Sequence, residues 1–132
     1  MTITPLYAGA LALWFLVLSL RVVLCRVGPT GPSLGDGGNP MILRRIRAQA
    51  NFSEYVPLAL LLTAFLEFNA YPNWLVHALG GSLLAGRLLH GYALSFTRES
   101  VFGRSAGIAL TFLSLLTAAG ACLRLGLLQL HL

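Results

Sequence analysis

Arg47, Asn51 and Glu54 stand at i, i+4 and i+7 of one apolar run, so on a helix they share a face. That stripe holds a cation, an amide and a carboxylate. Arg87 and His90 lie one turn apart in a different apolar run. Arg26, Gln49, Tyr55 and Arg104 fall at matching depth, which brings nine polar side chains toward one end of the apolar segments. A charge at mid-span costs about 2.5–3.5 kcal/mol on insertion scales, so such groups turn inward and find partners. Glu54 is the natural partner for Arg87. One reading is structural: an ion pair fixing helix register, with Asn51 as an interhelical hydrogen-bond donor and His90 as a packing histidine. Yet one register lock does not need four arginines around one carboxylate. The surplus positive charge implies an anionic ligand, or one that presents carboxylates and a developing thiolate.

The elements that position these groups follow from composition. Hydrophobic residues make up 57% of the 132-residue chain and charged residues 10%. A soluble domain carries about a quarter charged residues, so lipid is the simplest solvent for this surface. The expectation is an all-α integral membrane protein, one membrane domain over residues 1–132. A span needs about 20 apolar residues. Four runs qualify, at about 6–25, 44–68, 74–95 and 105–128, with a loop at about 26–43 that is rich in glycine and proline. Pro57 falls inside the second helix and removes one backbone bond there. Gly80, Gly81, Gly86, Ala118, Ala119 and Gly120 suit close helix–helix approach.

Charge asymmetry orients the spans. Arg26, Arg44, Arg45, Arg47, Arg98 and Arg104 flank the first and third connections, which places that end in the cytoplasm and both termini opposite. The net charge of +5 comes from arginine alone, because the chain has no lysine. Nucleic-acid binding needs a solvated basic face, and these arginines sit at or within apolar runs. Cys25 and Cys122 make no disulfide framework and read as small apolar fillers. There is no phosphate-binding glycine loop, no histidine pair at metal spacing and no serine nucleophile motif. His77 and His131 stand alone, and Trp14 and Trp74 read as lipid-facing or interfacial aromatics.

The run Arg47-Ala48-Gln49-Ala50-Asn51-Phe52-Ser53-Glu54-Tyr55-Val56-Pro57-Leu58 resembles the second-helix signature of the MAPEG family, the membrane-associated proteins in eicosanoid and glutathione metabolism. Gly86-Arg87-Leu88-Leu89-His90 resembles the family's third-helix motif, and Arg104-Ser105 the pair opening its fourth helix. The short length and the Gly35-Asp36-Gly37-Gly38 loop are similar to its small bacterial branch. The resemblance implies a MAPEG-like four-transmembrane-helix bundle in a bacterial inner membrane, with both termini periplasmic, assembled as a homotrimer. It implies glutathione as co-substrate near the cytoplasmic face between subunits, and a transferase or peroxidase acting on lipophilic electrophiles or lipid hydroperoxides. Arg26, Arg47, Gln49, Asn51, Glu54, Tyr55, Arg87 and His90 would hold glutathione. Arg104 would sit beside its sulfur and favour the thiolate, with Ser105 as a hydroxyl donor. Ala50 and Leu94 replace an arginine and a tyrosine found in family members, and Tyr92 is the candidate substitute for the tyrosine. A non-catalytic membrane protein of the same fold, binding lipid or glutathione, is the alternative.

Overall fold

The computed structural model describes residues 1–29, 31–98 and 100–130; His131 lies outside them. Four helices make up the chain: α1 (Ile3–Arg26), α2 (Pro40–Phe68), α3 (Asn73–Ser95) and α4 (Val101–Leu130). They run alternately up and down. One end of the bundle gathers the end of α1, the start of α2, the end of α3 and the start of α4. α1 and α4 are each long and apolar enough to cross a membrane. α2 and α3, of 29 and 23 residues, carry most of the polar side chains in the helices.

Three helices begin earlier than hydropathy suggests, because capping rather than apolarity sets where a helix starts. Asn39 accepts hydrogen bonds through its side chain from the Met41 and Ile42 backbone N–H groups, at 2.9 and 3.4 Å, and Pro40 follows at the first helical position. α2 therefore gains a turn before Arg44. At α4 the Ser100 hydroxyl accepts from the Gly103 N–H at 3.2 Å, so Arg104 and Ser105 lie inside the helix rather than at its opening. α1 is capped from a distance. The Glu67 carboxylate, at the end of α2, accepts from the backbone N–H groups of Thr2, Ile3 (2.8 Å) and Thr4 (2.7 Å). A negative charge at a helix N-terminus is favoured by the helix dipole, and here it also fastens α2 to α1.

Among the described residues α1 packs on α2 and α3 but not on α4, and the α3–α4 interface is the most extensive. That interface is glycine-built. A Cβ on Gly107 would meet the Gly86 carbonyl oxygen and the His90 backbone nitrogen at 2.7 Å. A Cβ on Gly86 would meet the Gly107 carbonyl oxygen and the Thr111 hydroxyl at 2.8 Å. The two backbones touch where side chains would hold them apart. Gly80 is likewise pressed against the Tyr7 ring and Gly91 against the Trp14 indole. Gly120 has open space around it, so it does not serve the close packing expected of it. Apolar core residues (Leu11, Leu18, Phe52, Val56, Ala59, Leu83) fill the space between α1, α2 and α3.

Trp14 departs from the lipid-facing or interfacial position expected for it. It is half-buried, and its indole N–H donates to the Arg87 carbonyl at 3.0 Å. Trp74 is exposed. His77 is not isolated, since Tyr7 Oη lies 3.1 Å from its Nδ1. Cys25 and Cys122 are free thiols at opposite ends.

Gly107→Ala should destabilise the purified protein by about 1–3 kcal/mol in detergent unfolding, because backbone atoms cannot yield to the added methyl. Gly120→Ala, in open space, should leave stability unchanged or slightly raised. Glu67→Ala should cost about 1 kcal/mol in the same assay, the usual size of a lost N-terminal cap.

Candidate functional site

Arg87 lies deep in α3 and is 2% exposed. Its Nε donates to the Thr111 hydroxyl at 2.9 Å, and its Nη1 donates to the Asn51 side-chain oxygen at 2.7 Å. Thr111 in turn donates to the Gly107 carbonyl at 2.8 Å. The Tyr55 ring lies 5.7 Å from the guanidinium carbon. Two neighbouring helices, α2 and α4, thus satisfy this cation with neutral oxygens and a ring face. The expected Arg87–Glu54 pair is absent. Glu54 sits three residues beyond Asn51, far enough round α2 to face outward, where it approaches Arg47 at 4.0 Å with both side chains about half exposed. At that exposure the contact contributes little to stability.

Around Asn51 a crevice of about 350 Å³ opens between α2, α3 and α4 at the arginine-rich end. Arg44, Arg47, Asn51, His90 and Arg104 line it, with Leu94 and Ile108 among its apolar walls. His90 is buried, and its Nδ1 lies 3.3 Å from the Arg104 carbonyl oxygen, which ties α3 to the start of α4. Because Asn51 accepts from Arg87, its amide N–H₂ is the end left to donate into the crevice. No carboxylate is among the described residues that line it.

The remaining sequence-predicted residues divide by position around the bundle. Tyr55 is half-buried beside Phe112, where an apolar groove runs between α2 and α4. Ser105 is exposed on α4, one residue past Arg104. Gln49 faces α1 and donates to the Ser19 hydroxyl at 3.0 Å. Arg26 ends α1 and donates to the Gly35 carbonyl of the following loop at 3.3 Å, with its Nε buried and unpartnered. Tyr92 is exposed on the α1 side of α3, stacked on Phe96 at 5.2 Å between ring centroids. Within one chain, Gln49, Arg26 and Tyr92 do not reach the crevice. Leu94 lines it, so nothing at that position replaces a tyrosine hydroxyl.

Sequence reasoning missed Thr111 and Arg44. Thr111 is a fully buried hydroxyl of α4, four residues after the glycine on which α3 rests. That spacing is the signal that could have found it. Arg44 was read only as a topology charge. Its guanidinium donates to the carbonyls of Ala93 (2.9 Å), Leu94 (3.3 Å) and Thr97 (3.1 Å), closing the end of α3 beside the crevice.

Two comparisons bear on this arrangement. The chain is 37% identical over 114 residues to "Inner membrane protein YecN" of Escherichia coli strain K12, covering 86% of this chain and 85% of that protein. The same figures hold for YecN of Escherichia coli O6:H1. No solved structure matches significantly. The model of the MAPEG family matches residues 4–124, which take in most or all of each helix and every residue lining the crevice. The chain belongs to the MAPEG family and is a membrane protein.

Proposed function

We propose that this protein is a glutathione-dependent membrane enzyme of the transferase or peroxidase type, acting on lipophilic electrophiles or lipid hydroperoxides. The observation that carries this reading is the crevice itself. It is a cationic cleft of about 350 Å³, lined by Arg44, Arg47, His90 and Arg104 with no carboxylate among the described residues of its wall. That volume lies at the lower end of the roughly 300–1,000 Å³ typical of small-molecule sites. A cleft so charged at a membrane boundary favours an anionic, polar guest over a lipid tail.

Glutathione suits the donors present. Arg47 and Arg104 would pair with its carboxylates, the outward Glu54 with its amino group, and the Asn51 amide with a peptide carbonyl. Arg87 holds Asn51 in the orientation this requires. Arg104 would also bring a cation to the sulfur and raise the thiolate fraction, with Ser105 as a nearby hydroxyl. The apolar groove beside Tyr55, lined by Phe112, Leu113, Leu116 and Ala119, would admit the electrophile from the bilayer.

The division of the polar residues into two faces supports a homotrimer of four-span subunits. Gln49 and Arg26 lie on the α1–α2 side, away from their own crevice. A neighbouring subunit would present them to it, so that each ligand is held by two chains. The surplus of arginine at this end supports a cytoplasmic orientation for it, where glutathione is available.

Titrating glutathione against the purified protein should raise its unfolding temperature, and Arg47→Ala should abolish that rise while still folding. With a soluble model electrophile, Arg104→Ala should lose roughly a hundredfold in conjugation rate, the usual loss on removing one charge-stabilising donor. If wild type and Arg104→Ala are equally inactive while glutathione still protects against heating, the protein is a binding protein without catalysis. If glutathione neither binds nor protects, the polar cluster is a register lock.

A further inference from the structure

A second cationic cavity, of about 390 Å³, lies beside the first on the α1–α2–α3 side of the same end. Arg21, Arg44, Arg45 and Arg98 line it, and no carboxylate is among the described residues of its wall. Two of these cations have evident structural work. Arg21 donates to the Ser95 hydroxyl at 2.8 Å and the Ser95 carbonyl at 2.7 Å, and lies over the Phe96 ring at 3.8 Å. Arg44 closes the carbonyls at the end of α3. The other two are not so employed. Among the described residues Arg45 donates to the Cys25 sulfur and keeps a buried Nε without an acceptor. Arg98 is exposed and makes no side-chain hydrogen bond among the described residues. Four guanidinium groups on one cavity repel one another, and an anion is the group that would offset this.

The apolar part of the wall says which anion. Met41, Leu94 and Phe96 line the cavity between the arginines. On α1, Val17, Arg21 and Leu24 fall at i, i+4 and i+7, so an exposed apolar stripe runs past Arg21. On α3, Leu88, Tyr92 and Ser95 repeat the pattern, with Leu88 and Tyr92 exposed. A guest with one anionic group and long apolar chains would place its charge among the arginines and its chains along these stripes. A soluble anion would leave both stripes unused.

We propose that this cavity binds the phosphate of an anionic membrane phospholipid, a site separate from the crevice assigned above to glutathione. Arg45 and Arg98 are its selective contacts. Arg21 and Arg44 form its floor.

The test uses the full chain in neutral detergent, with retained lipid read by native mass spectrometry. Phosphatidylglycerol and phosphatidylcholine of identical chains are titrated against wild type, Arg45→Gln, Arg98→Gln and Arg124→Gln. Wild type should prefer phosphatidylglycerol. Arg45→Gln and Arg98→Gln should each weaken that binding about fivefold, as expected for one arginine near an anionic headgroup. Arg124→Gln, at the opposite end, should not. Arg98 is exposed, so its replacement tests binding without threatening the fold. Equal affinity for the two lipids would overturn the proposal, as would equal losses in all three variants. Inorganic phosphate displacing the lipid at comparable concentration would overturn the lipid assignment. Displacement by glutathione in Arg47→Ala, whose crevice does not take the thiol, would do so too, by giving the cavity to the thiol ligand. Lipid selectivity that persists when glutathione fails to bind anywhere would sustain this site and sink only the other.

Discussion

The structure depends on holding one arginine in its interior without a counter-ion. Removing a cation from water costs several kcal/mol even after relaxation, and no carboxylate offsets that cost at Arg87. Thr111 from α4, Asn51 from α2 and the Tyr55 ring divide the task. Each must sit within hydrogen-bond or ring-contact reach of a group fixed on α3. The relative position of three helices is therefore specified at a single point, and a register shift of any one would strand the charge.

That point is accessible only because α3 and α4 approach so closely. Gly86 and Gly107 bring the backbones together, and Thr111 lies one turn beyond Gly107, so its hydroxyl reaches both the Gly107 carbonyl and Arg87. The same economy appears at the end of α3. Its last carbonyls have no helical partners, and arginines from α1 and α2 supply both donors and charge that complements the helix dipole. Guanidinium is suited to this because it donates in several directions at once, as Arg44 does to three carbonyls.

The sequence made depth legible and left direction around the bundle hidden. Helical spacing put Arg47, Asn51 and Glu54 on one stripe, and membrane length put Arg87 and His90 level with them; Arg47, Asn51 and His90 meet at the crevice and Arg87 reaches Asn51, while Glu54 turns outward. Which neighbour each side chain meets depends on how far each helix is turned about its axis, and spacing within one helix cannot give that. Arg87 and Glu54 match in depth and charge but face different ways. Gln49 and Arg26 share the depth of the crevice and lie on another side of the bundle. Helix starts were misread for a different reason. Hydropathy windows stop at Arg44 and Arg104, whereas the helices begin at the caps Asn39 and Ser100.

Arg44 and Leu94 border both cavities at the arginine-rich end. Arg44 is tied by its Nε and Nη2 to carbonyls of α3, which leaves Nη1 as its unengaged nitrogen. Its two N–H bonds lie on one charge that is common to both cavities. The two proposed guests would thus not be independent: whichever drew Nη1 would reduce the positive potential available to the other, and their like charges would repel across a shared wall. Reciprocity follows from thermodynamics, so the coupling must be equal in both directions. A membrane whose anionic lipid content changes would then tune the cationic crevice through a single side chain, without any helix having to move.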